Sequence, residues 1–356
     1  MTRESGAGRA PLTVADLAAG LREPPRPTRG WRAAVHRATG GRIDPGESAA
    51  ERRDRRLAER IGAPITGDYR IALLSLKGGV GKTSTTIGLG ATFAAARGDR
   101  VVAVDANPDL GTLADRVPEP NPATVRDLLR APTTRRYAEV RAYTTQAPSR
   151  LEVLGSERDP SVSEAFSAAD YTRALAILRS HYNLILTDCG TGLVHSAMSA
   201  VLAHANCLVL VATPALDGAR SAWATLDWLS AHGYRHLVSA TVVVVNRTAD
   251  RATGVADDQL AELFGARCRA VHPVPFDPHI ARGAELDLRR LQPATVLAYR
   301  RLAATIAEDF GAPAGRHAMP APAAAAPPPA AARGERTPPA APAPAGDQPA
   351  AASAAR

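Results

Sequence analysis

Lysine is almost missing from this chain: among 43 basic side chains in 356 residues, only Lys77 and Lys82 are lysines. Arginine fills every other basic position, a bias that fits the GC-rich coding implied by abundant alanine, glycine and proline. Cysteine is scarce as well. Cys189, Cys207 and Cys268 share no Cys-x-x-Cys spacing, which argues against a zinc site or a bridged iron–sulfur cluster and makes them reduced thiols in or near a core. No apolar run reaches the roughly 18 residues that a membrane-spanning helix needs. The first 30 residues are polar and proline-rich without an apolar h-region, so no secretory signal is expected and the chain is read as cytoplasmic.

Both lysines fall in one short string, Lys77-Gly78-Gly79-Val80-Gly81-Lys82-Thr83. A compact ammonium on a flexible stem can tuck between phosphate oxygens inside a backbone cradle, where a planar guanidinium is too wide. Residues 69–75 read as a buried strand and 84–97 as a helix, so the glycines occupy a strand-to-helix turn. Gly78, Gly79, Val80, Gly81, Lys82, Thr83 and Ser84 then form a phosphate cradle at a helix N-terminus, where backbone N–H groups and the helix dipole favour an anion. Lys82 would bridge the β- and γ-phosphates, and the Thr83 hydroxyl would ligate Mg²⁺.

The string departs from the ordinary P-loop. Leu76 stands where the first glycine usually does, and Lys77 follows it. In this it resembles the deviant P-loop of the ParA/MinD family of ATPases, whose extra lysine crosses a dimer interface to the partner's nucleotide. The resemblance implies an ATP-dependent homodimer in which Lys77 stabilises charge across the interface. Three further segments are similar to that family. Val101-Val102-Ala103-Val104-Asp105-Ala106-Asn107-Pro108-Asp109 looks like the Asp-x-Asp-Pro motif, which puts Asp105 near Mg²⁺ and the γ-phosphate. Asn107 replaces the second aspartate; an amide can hold a water but cannot take its proton, unless Asp109 supplies the charge. Leu184-Ile185-Leu186-Thr187-Asp188 resembles a Walker B strand, with Asp188 holding Mg²⁺, and Gly192 could offer its amide to the γ-phosphate. Residues 242–247, ending in Asn246 and Arg247, and Val274-Pro275-Phe276-Asp277 resemble the adenine-side segments, giving Asn246, Arg247, Pro275 and Asp277 as nucleotide contacts. No guanine-reading Asn-Lys-x-Asp occurs, which favours ATP.

Apolar runs at 71–76, 101–104, 151–154, 184–187, 207–211 and 242–245 alternate with helical stretches. Valine-rich runs buried on both faces indicate an α/β fold, a doubly wound, mostly parallel sheet flanked by helices, with nucleotide at the carboxyl ends of the strands. The chain divides into a disordered N-terminus (1–29), a charged, partly helical extension (30–68), the ATPase domain (69–311) and a Pro/Ala-rich disordered tail (312–356). The extension, the Asp-Ala-Asn-Pro-Asp motif and the Asp-Cys-Gly-Thr-Gly switch look like the MinD-like ATPases that accompany type VII secretion in actinobacteria. A protein partner is expected on the extension or the tail.

Formal charge is +8, but arginine runs mixed with acids usually form solvated helix faces. Arg282, Arg289, Arg290, Arg300 and Arg301 leave nonspecific DNA as a candidate partner. The stripe Val296, Tyr299, Leu302, Ile306 and Phe310 is expected to pack onto the sheet rather than lie on a bilayer. Trp223, Trp228, His195 and His204 are read as packing or solvated residues. The expected activity is ATP hydrolysis, slow and partner-stimulated; the alternatives are an ATP-gated scaffold with little turnover, and a tyrosine-kinase relative, disfavoured because no tyrosine cluster ends the chain.

Overall fold

The computed structural model describes residues 27–28, 30–107, 111–157, 166–193, 196–250 and 254–311. The tail, Asp109, His195 and all of the expected N-terminal disorder except residues 27–28 lie outside the described residues. Thr28 is tied down, donating from its backbone N and its Oγ1 to Glu51 Oε1 at 2.7 and 3.0 Å.

The strands are β1 (Tyr69–Leu74), β2 (Val101–Ala106), β3 (Thr145–Gln146), β4 (Glu152–Leu154), β5 (Leu184–Cys189), β6 (Cys207–Ala212), β7 (Val242–Asn246) and β8 (Ala270–Val274). They form one sheet in the order β3-β4-β2-β5-β1-β6-β7-β8. Every neighbouring pair is parallel except β3 with β4. Both faces are covered, and the strands alternate between them. Tyr69, Ile71 and Leu73 of β1 enter one hydrophobic cluster while Ala72 and Leu74 enter the other. β1 lies between β5 and β6, with β2 beyond β5, so the chain switches sides at its carboxyl end, where ligands of open α/β sheets bind.

After α1 (Gly30–Ala38), one face of the sheet carries α2 (Ala49–Ile61), α3 (Lys82–Ala96) and a late helix, Pro293–Ala307, which pack closely together. α2 starts at a capping box: Ser48 Oγ accepts from Glu51 N at 3.1 Å and Glu51 Oε2 accepts from Ser48 N at 2.8 Å, which satisfies two otherwise orphaned donors. Most of α2 is charged. Leu57 and Ile61, one helical turn apart, are buried, each contributing roughly 1.5–3 kcal/mol. Its final carbonyls are met by Arg97, a buried side chain that donates from Nη1 to Ile61 O and Ala63 O and pairs with Asp99 at 2.6 Å. The charged extension is therefore packed on the same core as the P-loop helix.

The remaining helices are α4 (Val125–Arg130), α5 (Tyr137–Arg141), α6 (Ala168–Arg179), α7 (Ser196–His204), α8 (Leu216–Ala231), α9 (Arg235–Ala240), α10 (Asp257–Gly265), α11 (Pro278–Ala281) and α12 (Pro293–Ala307). On α12, Tyr299, Leu302 and Ile306 are buried, as is Phe310 beyond it, and Val296 packs against the same cluster, so that stripe belongs to the core. A methyl group on Gly88 of α3 would lie 2.5 Å from the Tyr299 ring; glycine there lets α12 lean directly on the P-loop helix. All three cysteines are buried and free, and burial pushes the thiols up, to about 12 for Cys189 and Cys207 and about 11 for Cys268. No helix among the described residues is long and apolar enough to cross a membrane.

Candidate nucleotide site

β1 ends at Leu74 rather than Leu76, and residues 75–81 loop over the carboxyl edge of the sheet into α3. The helix begins after Gly81, whose φ of +86° places it in the left-handed region that only glycine adopts without strain, and no side chain caps it. A Cβ on Gly81 would approach Asn246 Nδ2 to 2.8 Å. The first-turn amides of α3 are thus free of a capping side chain, which is the arrangement that receives an anion.

The cavity beside this loop has a volume of about 500 Å³. Lys77, Gly78, Gly79, Val80, Gly81, Lys82, Thr83 and Ser84 line one wall. Asn246, Arg247, Pro275, Phe276 and Asp277 also line the cavity, as do Asn107, Thr112, Arg116 and Thr191. Gly192 is exposed next to Thr191 and stands outside that lining.

Behind the P-loop sits a buried polar knot. Asp188 Oδ1 accepts from Lys82 Nζ at 2.7 Å and from Thr86 Oγ1 at 3.0 Å; Oδ2 accepts from Thr83 Oγ1 at 2.7 Å. Lys82 and Thr86 are one turn apart on α3, so one helix face delivers both. Parallel pairing of β2 with β5 places Asp105 directly opposite Asp188. Two carboxylates share a water-poor pocket, and burial first, then the Asp188 charge, push Asp105 up to about 7, against the pull of Lys82 and two backbone N–H groups. Those N–H groups are Asn107 N on Oδ1 at 3.0 Å and Leu113 N on Oδ2 at 3.1 Å. Asp105 lies behind the cavity wall and fastens the ends of the segment that carries Asn107.

Against the P-loop itself, Asn246 Nδ2 donates to Val80 O at 2.9 Å, Thr85 Oγ1 at 3.0 Å and Gly81 O at 3.3 Å, while its buried Oδ1 has no donor among the described residues. The amide locks the P-loop and leaves an acceptor over. Asp277 is committed structurally: its carboxylate accepts from His279 N at 2.9 Å and Gln292 N at 2.8 Å. Burial acts to raise it, but those backbone donors and Thr295 outweigh that and hold it below the usual carboxylate range. Arg247 is anchored to Asp257 at 2.8 Å.

Lys77 is exposed and forms an ion pair with Asp217 of its own chain, at the first turn of α8. Asp217 Oδ1 also accepts from Gly218 N at 2.7 Å, and the Lys77 ammonium holds this carboxyl below its ordinary range. Leu216 beside it is 57% exposed, and Leu76 is exposed too. Sequence reading missed Asp217, Thr86 and Arg116. Thr86 carries a signal, the i+4 spacing from Lys82; Asp217 and Arg116 become visible only when distant segments meet.

Three observations suit a nucleoside triphosphate with Mg²⁺. These are an uncapped helix start with no room for a side chain at Gly81, hydroxyl and carboxylate oxygens of Thr83 and Asp188 side by side as hard donors, and the orphaned Asn246 acceptor, which an amino group on a base would satisfy.

Residues 71–288 match the CobQ/CobB/MinD/ParA nucleotide binding domain. The ESX-1 secretion-associated protein EspI of Mycobacterium tuberculosis is 38% identical over 284 residues, covering 79% of this chain and 42% of the relative; the chain thus spans less than half the length of that curated relative. Among solved structures, a ParA family ATPase from Chlorobium tepidum superposes with a TM-score of 0.57 at 19% identity, over 66% of this chain and 98% of that one. The cell division ATPase MinD of Pyrococcus furiosus gives 0.54 at 23% identity, over 68% and 99%. MinD of Pyrococcus horikoshii, complexed with Mg-ADP, gives 0.53 at 20% identity, over 70% and 98%.

Proposed function

Because the chain belongs to the CobQ/CobB/MinD/ParA family of nucleotide-binding domains, we propose that it binds ATP with Mg²⁺, dimerises around it and hydrolyses it slowly, using nucleotide state to gate a protein partner. The observation that carries this reading is the knot of Lys82, Thr83 and Asp188 beneath an uncapped helix start. Its relation to an ESX-1 secretion-associated protein supports a place in type VII secretion-associated assembly over chromosome or cell-pole positioning.

The chemistry is transfer of the terminal phosphoryl group to water, which positioning and charge accomplish. Glycine backbone amides hold the phosphates, and Lys82 moves from Asp188 to the β- and γ-oxygens. Thr83 and Asp188 would hold the metal, which would supply neutralisation of the developing phosphate charge. Asp105, behind them, holds the segment bearing Asn107 at the cavity mouth, and Asn107 orients the attacking water. Lys77 leaves Asp217 and crosses to the nucleotide of a second copy. Gly192 and the base-side residues Asn246, Arg247 and Pro275 complete the set, with Asp277 shaping the loop they stand on.

Further partners are a protein bound through the extension or the tail. Nonspecific DNA is the weaker option, since Arg300 is held against the extension, donating to Asp54 O at 2.9 Å.

A second reading, an ATP-gated scaffold, is favoured by one residue: Asn107 offers no base. Sedimentation with Mg-ATP and with Mg-ADP, alongside single-turnover phosphate release, tests both. The switch reading expects an ATP-only dimer, slow release, and a gain on the order of 10²-fold in Asn107→Asp. A dimer that releases no phosphate in either protein favours the scaffold; absence of any ATP-dependent dimer sinks both.

A further inference from the structure

Arg116 is the one cation of the cavity wall that the sequence reading did not single out. It closes a short turn, Ala114–Arg116, three residues after the Leu113 amide that Asp105 holds. Among the described residues it makes no ion pair; its guanidinium reaches only Ala284 O, through Nη1 at a long 3.4 Å. The backbone fixes its place more firmly, with Leu286 N donating to Arg116 O at 3.0 Å. Gly283 leaves room beside it, since a Cβ there would stand 4.0 Å from Nη1.

A half-buried guanidinium without a carboxylate is costly unless an anion is meant to meet it. The charge is partly desolvated, and burial lowers its proton affinity. The carboxylate that opposes this most is Asp188, ahead of the adjacent Asp115. The turn that carries Arg116 follows Leu113, whose amide donates to Asp105, and Asp105 lies opposite Asp188 in the β2–β5 pairing, so Arg116 stands on the segment tied to the phosphate and metal end of the cavity while its guanidinium also reaches Ala284 O.

Resting on the ATP site proposed above, we propose that Arg116 is a phosphate-binding residue, a guanidinium supplied by the same chain that contacts the terminal phosphate of ATP. A planar fork of N–H donors suits phosphate oxygens and is already charged and desolvated. Such a group stabilises the charge that spreads over the equatorial oxygens during transfer. It would also make the segment held by Asp105 sensitive to whether the third phosphate is present, because Arg116 and Asn107 bracket that segment.

The test is calorimetry on the full chain with Mg²⁺ and either a non-hydrolysable ATP analogue or ADP. In Arg116→Ala the analogue should bind about 10- to 100-fold more weakly, the range for a lost charge-assisted contact, with ADP changed by less than about threefold. Arg116→Lys should fall between, keeping charge but losing the fork. Retained ADP affinity serves as the folding control, and Arg116→Gln repeats the measurement if alanine unfolds the chain. Equal losses for both nucleotides would make Arg116 a strap for the 283–286 loop and overturn the inference, as would an unchanged analogue affinity. If the parent binds no nucleotide, the ATP site itself fails; if the parent binds and Lys82→Ala does not, while Arg116→Ala keeps the preference for the analogue, only Arg116 is wrongly assigned.

Discussion

The two ends of the P-loop hold the chain's two lysines in opposite surroundings. Lys82 has a side chain 9% exposed and pairs with Asp188, 2% exposed; Lys77 is 46% exposed and pairs with Asp217, 64% exposed. A buried pair is costly to break because the survivor is left charged and unsolvated. An exposed pair contributes little and exchanges partners readily. The inner lysine is therefore placed to wait for a phosphate, and the outer one to change hands.

Lys82→Ala should break that contrast most severely. It leaves Asp105 and Asp188 facing each other without the cation between them and the phosphates, and ATP affinity should fall by at least about 100-fold, in keeping with loss of a buried partner. Calorimetry showing unchanged affinity would remove the site assignment. Lys77→Ala, by comparison, should keep ATP affinity within about threefold, as expected for a solvent-exposed charge, yet give no ATP-dependent dimer by sedimentation. A normal dimer in that variant would end the crossing role.

The inner end should also respond to pH. Asp105 ionises near its ordinary value of 3.8 when unfolded but only near 7 when folded. Between those values the folded state binds the extra proton, so the contribution of Asp105 to stability is full below about pH 4 and is lost as pH rises to about 7. The total is a few kcal/mol at most, by the usual conversion of roughly 1.4 kcal/mol per unit. Urea melts in EDTA at several pH values check this. Asp105→Asn should flatten the slope whatever its absolute stability, and an unaltered slope would assign the dependence to another group.

The smallest expected effect lies at the rim. Asp217→Asn releases Lys77 from its own chain, and ATP-dependent dimerisation should occur at a protein concentration lower by about two- to fivefold, the scale of an exposed pair. A dimer that instead needs more protein would show that Asp217 faces the partner in the assembled state.

How far the sequence could be read follows from the range of the interactions involved. The apolar strands β2, β5, β6 and β7 are local signals, because burial on both faces demands runs of apolar residues. β1 was read two residues too long since Leu76 is apolar but exposed, and hydrophobicity alone cannot tell a strand end from a loop rim. β3 is two residues long, and β8, with Pro273 and a half-exposed pattern, lies at the sheet edge where no strong pattern is imposed. The P-loop was legible because its chemistry sits in consecutive residues. Asp217, 140 positions from Lys77, and Arg116, which meets Ala284 and Leu286, are products of topology. Asp277 reads as a nucleotide contact, and its carboxylate accepts from two backbone amides: His279 N, which the Asp277-Pro278 helix-start pattern announces, and Gln292 N, which only the fold brings near.

The rarity of lysine has a practical consequence for covalent labelling. Between residues 30 and 311 the folded chain offers amine-directed reagents a single open address, since Lys82 is enclosed and every other basic side chain is an arginine. Acylation kinetics at Lys77 would therefore report, without any engineered tag, whether that ammonium is free in solvent, held by Asp217 or sequestered in another subunit.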